Sequence, residues 1–314
     1  MHTQFSLDSD ADPEEMIRSG ISKGLDAVCI TDHEDKDYIS EGNKWTFDVD
    51  EYFTQLTKLR EKYRREIDVR IGVEIGLQPH LGEYYQSYTR QKPFDLVIGS
   101  VHLIGSRDPY YKEFFEGRSD AGAYEETFLE TYEDIRNVED FDVLGHLDYV
   151  TRYGRNQAKE YSYSRFSDII DQILKYLIEH GKGIELNTAG LKYGLPYAHP
   201  HPDVLKRYRE LGGEIITVGA DAHKPEHTAY DFRKVPDLLK SCGFRYYTEF
   251  VQRKAVFKKL LLYGGGCADR MEIDYGGIVT GRSDHSDARD PRGSEGISHD
   301  GRCGAVSGIE AGAA

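Results

Sequence analysis

Six apolar, strand-like runs of this chain each carry a His, Asp or Glu at or near their carboxyl end. His33 follows run 26–31 (DAVCIT), and Glu74 sits inside Gly72-Val73-Glu74-Ile75-Gly76. His102 ends Gly99-Ser100-Val101-His102, while His146 and Asp148 end Gly145-His146-Leu147-Asp148. Glu185 lies in Ile184-Glu185-Leu186-Asn187, and Asp221 and His223 close Gly219-Ala220-Asp221-Ala222-His223. One His after a strand is ordinarily a loop residue, but the same coincidence on every run points to a shared site. Mixed imidazole and carboxylate donors suit two or three Zn, Mn or Fe ions better than the oxygen-only shell of Ca. Glu74 is informative in another way, because a carboxylate within an apolar strand is costly unless paired or metal-bound. Glu185 carries the same cost, but Asn187 and Thr188 can satisfy it, so it is expected behind the ligands. His199 and His201, flanking Pro200 at a helix start, are not expected to be ligands.

The elements that must bring these residues together follow from periodicity. The apolar runs 26–31, 69–77, 95–102, 142–147, 183–187 and 214–219 read as buried strands. Helical patterns lie between them, at 12–24, near 50–66, at 119–137, 164–180, 201–212 and 235–241. The first of these opens with an Asp cap, a Pro and two acids. Strand and helix in alternation imply an α/β fold with a mainly parallel sheet, and the number of repeats favours a TIM-like barrel. A parallel barrel turns all strand carboxyl ends to one face, so distant donors would converge there. Residues 1–263 are read as one catalytic domain. Residues 264–314 are Gly-, Ser-, Asp- and Arg-rich, read as a low-complexity, disordered tail in which His285 and His299 are incidental.

Composition narrows the function. The net charge of −15 argues against a broad nucleic-acid interface. No apolar run reaches the length of a membrane span, and the start has no signal-peptide pattern. Cys29, Cys242, Cys267 and Cys303 form no C-x-x-C pair, which fits a reducing, cytoplasmic setting, with Cys29 as a buried small hydrophobe.

The ordered set 2–10 (HTQFSLDSD), Ile30-Thr31-Asp32-His33, Gly72-Val73-Glu74, Gly99-Ser100-Val101-His102, Gly145-His146-Leu147-Asp148, Glu185-Leu186-Asn187-Thr188 and Gly219-Ala220-Asp221-Ala222-His223 resembles the polymerase and histidinol phosphatase (PHP) family. Within it, the chain looks most like the monofunctional histidinol-phosphate phosphatases of histidine biosynthesis. The resemblance implies a distorted seven-stranded (β/α) barrel with a trinuclear metal centre. His2, Glu74 and Asp221 would hold one ion, Glu74, His102 and His146 a second, and Asp8, His33 and His223 a third. The family opens with Asp-x-His-x-His, whereas this sequence begins Met1-His2, so the first His and first strand of the pattern are expected to be missing through truncation or a misassigned start.

The chemistry implied is hydrolysis of a small phosphate monoester, L-histidinol phosphate, by water that clustered divalent ions make acidic. Asp221 would accept or shuttle a proton. Arg152, Arg155 and Lys192 fall in the two loops where the family binds phosphate, with Arg152 the first choice, Lys192 the second, and Arg155 as plausible on the solvent surface. Trp45 and most tyrosines read as packing, while Tyr193 and Tyr197 could wall an imidazole pocket. Three other readings compete: a PHP nuclease, a barrel hydrolase of C–N bonds, and an inactive truncated PHP fragment. The acidic charge opposes the first, and the second leaves Arg152 and Lys192 without a role.

Overall fold

The computed structural model describes residues 1–260 apart from Glu41. The expected tail at 264–314 lies outside the described residues.

Helix α1 (Pro13–Ser22) starts where the sequence predicts, with the Asp12 carboxylate accepting the amides of Glu14 at 2.7 Å and Glu15 at 3.2 Å. These contacts satisfy donors that have no partner inside the helix. Met16, Ile17 and Gly20 face inward, and Gly24, at φ +73°, turns the chain into β1 (Ala27–Ile30). There follow β2 (His33–Ser40), β3 (Asn43–Trp45) and α2 (Val49–Tyr63). Next come β4 (Asp68–Ile71), β5 (Val73–Gly76), α3 (Gly82–Thr89) and β6 (Val97–Ser100). Then α4 (Asp120–Asn137), β7 (Val143–Leu144), α5 (Ser167–Glu179) and β8 (Gly183–Asn187) alternate. Short α6 (Ala189–Lys192), α7 (Pro202–Glu210), β9 (Ile216–Gly219), α8 (Val235–Ser241), β10 (Tyr246–Val251) and β11 (Lys254–Lys259) complete the order. In α5 the buried Ile169, Ile170, Ile173, Leu174 and Leu177 recur at helical spacing, forming the stripe that a helix covering a sheet requires.

The main sheet runs β3-β2-β5-β6-β7-β8-β9, parallel throughout except for the β2–β3 hairpin, and β1 pairs in parallel with β4. Run 69–77, expected as one strand, is therefore two. The break falls at Gly72, where only a glycine fits: a Cβ there would lie 2.8 Å from the Leu96 carbonyl oxygen and 2.9 Å from Thr31 Cγ2. The pieces stay in line: Gly72 N donates to Ile30 O at 2.8 Å and Glu74 N to Asp32 O at 3.1 Å. The α/β, largely parallel architecture matches the sequence reading. Among the described residues the strands do not close into a ring. Met1 and His2 lie between the end of β1 and the segment after β9, through Thr31 N to Met1 O (2.8 Å) and His2 N to Ala222 O (2.9 Å).

Two hairpins were not foreseen. The β2–β3 hairpin extends outward from His33. The β10–β11 hairpin closes the amino ends of the strands through its two-residue turn, Gln252 and Arg253, both at positive φ. Gln252 N donates to Asp95 Oδ1 at 3.1 Å, and Arg253 pairs with Asp142 at 2.6 Å and Asp140 at 3.0 Å. No helix among the described residues is long and apolar enough to cross a membrane.

Candidate metal centre

The strand carboxyl ends gather nearly all the donors predicted from the sequence. The loop carrying His2 and Asp8 is tied down by Asp32, fully buried, which accepts Thr3 N at 2.5 Å, Thr3 Oγ1 at 2.8 Å and Ser6 Oγ at 2.6 Å. Ser6 Oγ in turn accepts the amide of His33 at 3.0 Å, so the loop and the start of β2 are locked together.

Three donor groups result. His2 Nε2 lies 3.3 Å from Glu74 Oε2 and 3.4 Å from Asp221 Oδ1. Glu74 Oε1 faces His102 Nε2 at 3.3 Å and His146 Nε2 at 3.0 Å. Asp8 Oδ2 lies 3.0 Å from His223 Nε2 and 3.9 Å from His33 Nε2. The imidazole of His2 stacks on those of His33 and His223, with ring centroids 4.3 and 4.2 Å apart. Three sets, His2-His33-His223, His33-Asp35-His102 and Glu74-His102-His146, each place one donor atom per residue within 4.8 Å of the others. Such buried clusters of imidazole and carboxylate fit divalent ions. Glu74 touches two of the groups, one through each oxygen, as a bridging carboxylate would.

The electrostatics agree with a cation site. Burial alone would lower His2, but the carboxylates of Asp221 and Glu74 outweigh it and hold its pKa up at about 10. Burial likewise works to raise Glu74, yet His102, His146 and His2 pull it well below the usual carboxylate range. Asp221 behaves the same way, with His223, His2 and Arg152 overriding burial. His33 is shifted the other way, down, by burial and by neighbouring His2. The negative potential that retains a proton on His2 is the potential that would retain metal ions, and binding them would displace that proton.

Comparison with known proteins bears directly on this cluster. The model of the PHP domain family matches residues 1–189. The chain is 33% identical over 245 residues to the probable histidinol-phosphatase of Clostridium acetobutylicum, a match covering 78% of this chain and 93% of that protein. It is 31% identical to the histidinol-phosphatase of Lactococcus lactis, over 77% of this chain and 90% of that protein. The chain belongs to the PHP family, in its histidinol-phosphatase branch. Among solved structures, it is similar to the Lactococcus lactis histidinol phosphate phosphatase complexed with Zn, L-histidinol and phosphate (TM-score 0.74, 29% identity, 82% of this chain and 97% of that one). A putative histidinol phosphatase from Listeria monocytogenes shares the fold (TM-score 0.63, 18% identity, 74% and 97% coverage).

Beside the PHP donor cluster, the basic residues predicted from the sequence divide. Arg152 ends a 3-10 turn (Tyr149–Arg152) after β7 and aims its Nη1 at Asp221 Oδ2, 3.7 Å away. The rings of Tyr193, Tyr153 and Tyr149 surround its guanidinium at 4.4, 4.7 and 5.6 Å. Lys192, at the end of α6, donates to the Asp221 carbonyl at 2.9 Å, and burial lowers its pKa. Arg155 does not join them: it pairs with Asp120 at 3.1 Å and reaches the Arg118 carbonyl, with a largely exposed side chain.

Other expectations are met or revised by particular contacts. Glu185 stands behind the donors, accepting His146 N at 3.2 Å and Asn187 Nδ2 at 3.0 Å. His199 donates or accepts only away from the cluster, with Nδ1 2.6 Å from Asp148 Oδ1. Tyr197 is buried against Tyr161 and His201, so of the proposed imidazole wall only Tyr193 borders the site. Cys29 is half-buried rather than fully enclosed. Trp45 was read as packing alone, yet its ring lies edge-on to His33 at 5.8 Å and stacks on Tyr38 at 4.7 Å. Asp35, which nothing in the sequence marks as a site residue, contacts His102.

Proposed function

We propose that this chain is a metal-dependent phosphoric monoester hydrolase that converts L-histidinol phosphate to L-histidinol and phosphate in histidine biosynthesis. The observation that carries this reading is the convergence of three imidazole–carboxylate groups beside Arg152, in a chain whose histidinol-phosphatase relatives match it over most of their length. On this reading His2, Glu74 and Asp221 hold one ion, Glu74, His102 and His146 a second, and Asp8, His33 and His223 a third, with Zn, Mn or Fe as candidates. Ions held there would supply Lewis acidity toward the phosphate and the attacking water.

The side chains do the rest. Arg152, held flat among three tyrosine rings, grips two phosphate oxygens, and Lys192 adds a point charge from the next loop. Asp221, ionised beside His2 and Arg152, would accept a proton from the attacking water and pass it to the leaving alcohol. The open sheet is read as a distorted (β/α) barrel whose carboxyl-end face is the active site, and the setting as cytoplasmic. The test is phosphate release from L-histidinol phosphate by the purified chain with Mn or Zn. Release that a chelator stops supports the proposal, whereas a chain that binds metal but spares this substrate while hydrolysing other monoesters overturns the substrate.

A further inference from the structure

We propose that Asp35 is a positioning residue that sets the imidazole of His102 for metal binding; this rests on the metal-dependent reading above. Asp35 is buried at the start of the β2–β3 hairpin, and its Oδ2 lies 2.8 Å from His102 Nδ1. The opposite nitrogen of the same ring, Nε2, faces Glu74 Oε1 at 3.3 Å, and that oxygen also faces His146 Nε2 at 3.0 Å. A neutral imidazole carries one N–H. With Asp35 accepting that hydrogen from Nδ1, the lone pair of His102 must lie on Nε2, on the side of Glu74 and His146. One buried carboxylate thereby selects the tautomer and fixes the ring plane, the role that outer carboxylates play at metal-binding histidines. His33 Nδ1 lies 3.8 Å from the same oxygen, beyond hydrogen-bond reach, so the effect falls first on His102.

The fold makes room for this arrangement at a defined point. A Cβ on Gly76, at the end of β5, would lie 2.4 Å from Asp35 Oδ1. A side chain there would push the carboxylate away from His102. Nothing in the local sequence marks Asp35, since it stands in Glu34-Asp35-Lys36-Asp37 and looks like one solvated charge among several.

The test is metal titration of the full chain after chelator dialysis, with Zn or Mn as probe, for the wild type, Asp35→Asn and Asp35→Ala. The Asn amide oxygen can still accept from Nδ1 but lacks the charge, whereas Ala removes the acceptor. The expected result is an unchanged number of bound ions, with the dissociation constant of one raised about 10-fold in Asp35→Asn and about 100-fold in Asp35→Ala. Activity of Asp35→Asn recovers as metal is raised to saturation, a rescue that a purely structural role would not produce. Unchanged constants in both variants overturn the proposal. So does loss of a whole equivalent, which would make Asp35 a ligand. Asp35→Asn, close to isosteric, decides the matter if Asp35→Ala fails to fold. A wild type that binds metal but spares L-histidinol phosphate removes the substrate reading alone and leaves this titration valid.

Discussion

Glu74 on β5 and Asp134 on α4 are both buried carboxyl groups, and the protein treats them in opposite ways. Glu74 sits among His2, His102 and His146 and stays ionised far below its ordinary range. Asp134 has no hydrogen-bond partner on either oxygen, and burial, with the nearby Glu130 and Glu133 carboxylates, pushes its pKa up to about 9. Desolvation opposes the charge in both places. What separates them is paired cations: imidazoles surround Glu74, whereas Arg136, the cation on α4, pairs with Glu133 and not with Asp134. A buried carboxylate thus has functional meaning only with its neighbours: burial pushes Asp134 toward its neutral form, whereas the imidazoles keep Glu74 ionised, as the proposed bridging ligand must be.

The largest effect that would test this contrast is removal of the cations or of the bridging carboxylate. Chelation should abolish release of phosphate from L-histidinol phosphate, and added Mn or Zn should restore it. Glu74→Gln should lower kcat on the order of 10³-fold, the upper range for losing one preorganised electrostatic group. Retained activity in a chain shown to be metal-free would break the comparison. Next comes the pair of arginines that share one loop. Arg152→Ala should cost about 100-fold in kcat/KM, whereas Arg155→Ala, whose exposed guanidinium pairs with buried Asp120 away from the donor cluster, should change it by less than about threefold. Steady-state kinetics on the two variants would expose a reversed order.

The smallest effect concerns stability. Between the ordinary value of 3.8 and about 9, folded Asp134 keeps a proton that the unfolded chain has released. The native state binds more protons across that window, so stability falls as pH rises through it. Asp134→Asn should remove this slope, leaving the two proteins alike below pH 3.8. Near pH 8 the variant should be more stable by about 2 kcal/mol. Urea denaturation at both pH values checks the sign, and parallel curves would show Asp134 ionised in the fold.

Much of the site was legible because the strands that carry it are apolar runs interrupted by one costly residue. Glu74 within Val73-Glu74-Ile75 and the Asp221-x-His223 pair stand out for that reason. The hairpin that bears Asp35 and Trp45 did not, because β2 (HEDKDYIS) leaves the sheet after pairing with β5 only at His33 and Glu34, so its sequence lacks an apolar run. Asp35 and Asp37 look alike as letters, yet Asp35 is buried against His102 while Asp37 meets exposed His80. Gly72 shows a similar limit. The glycine at the break in run 69–77 is required by a carbonyl from Leu96, which no local window contains. Arg155 was placed with Arg152 because both follow β7. The 3-10 turn ends its last residue, Arg152, toward Asp221, and the chain then carries Arg155 to Asp120.

The turn at Gln252 and Arg253 has a consequence for the order in which the protein can be made. Asp142, which also accepts the Val97 amide, is separated by 111 residues from the Arg253 guanidinium that neutralises it. Asp95 waits still longer for Gln252, 157 residues downstream. On the ribosome the sheet strands emerge first, so Asp95 can already pair with Arg60 and the Ile71 amide, whereas Asp142 lacks its guanidinium until the hairpin leaves the exit tunnel. Nascent chains stopped before residue 246 should therefore be captured by protease or chaperone more readily than chains that include the β10–β11 hairpin, which acts as a latch on the strands before it.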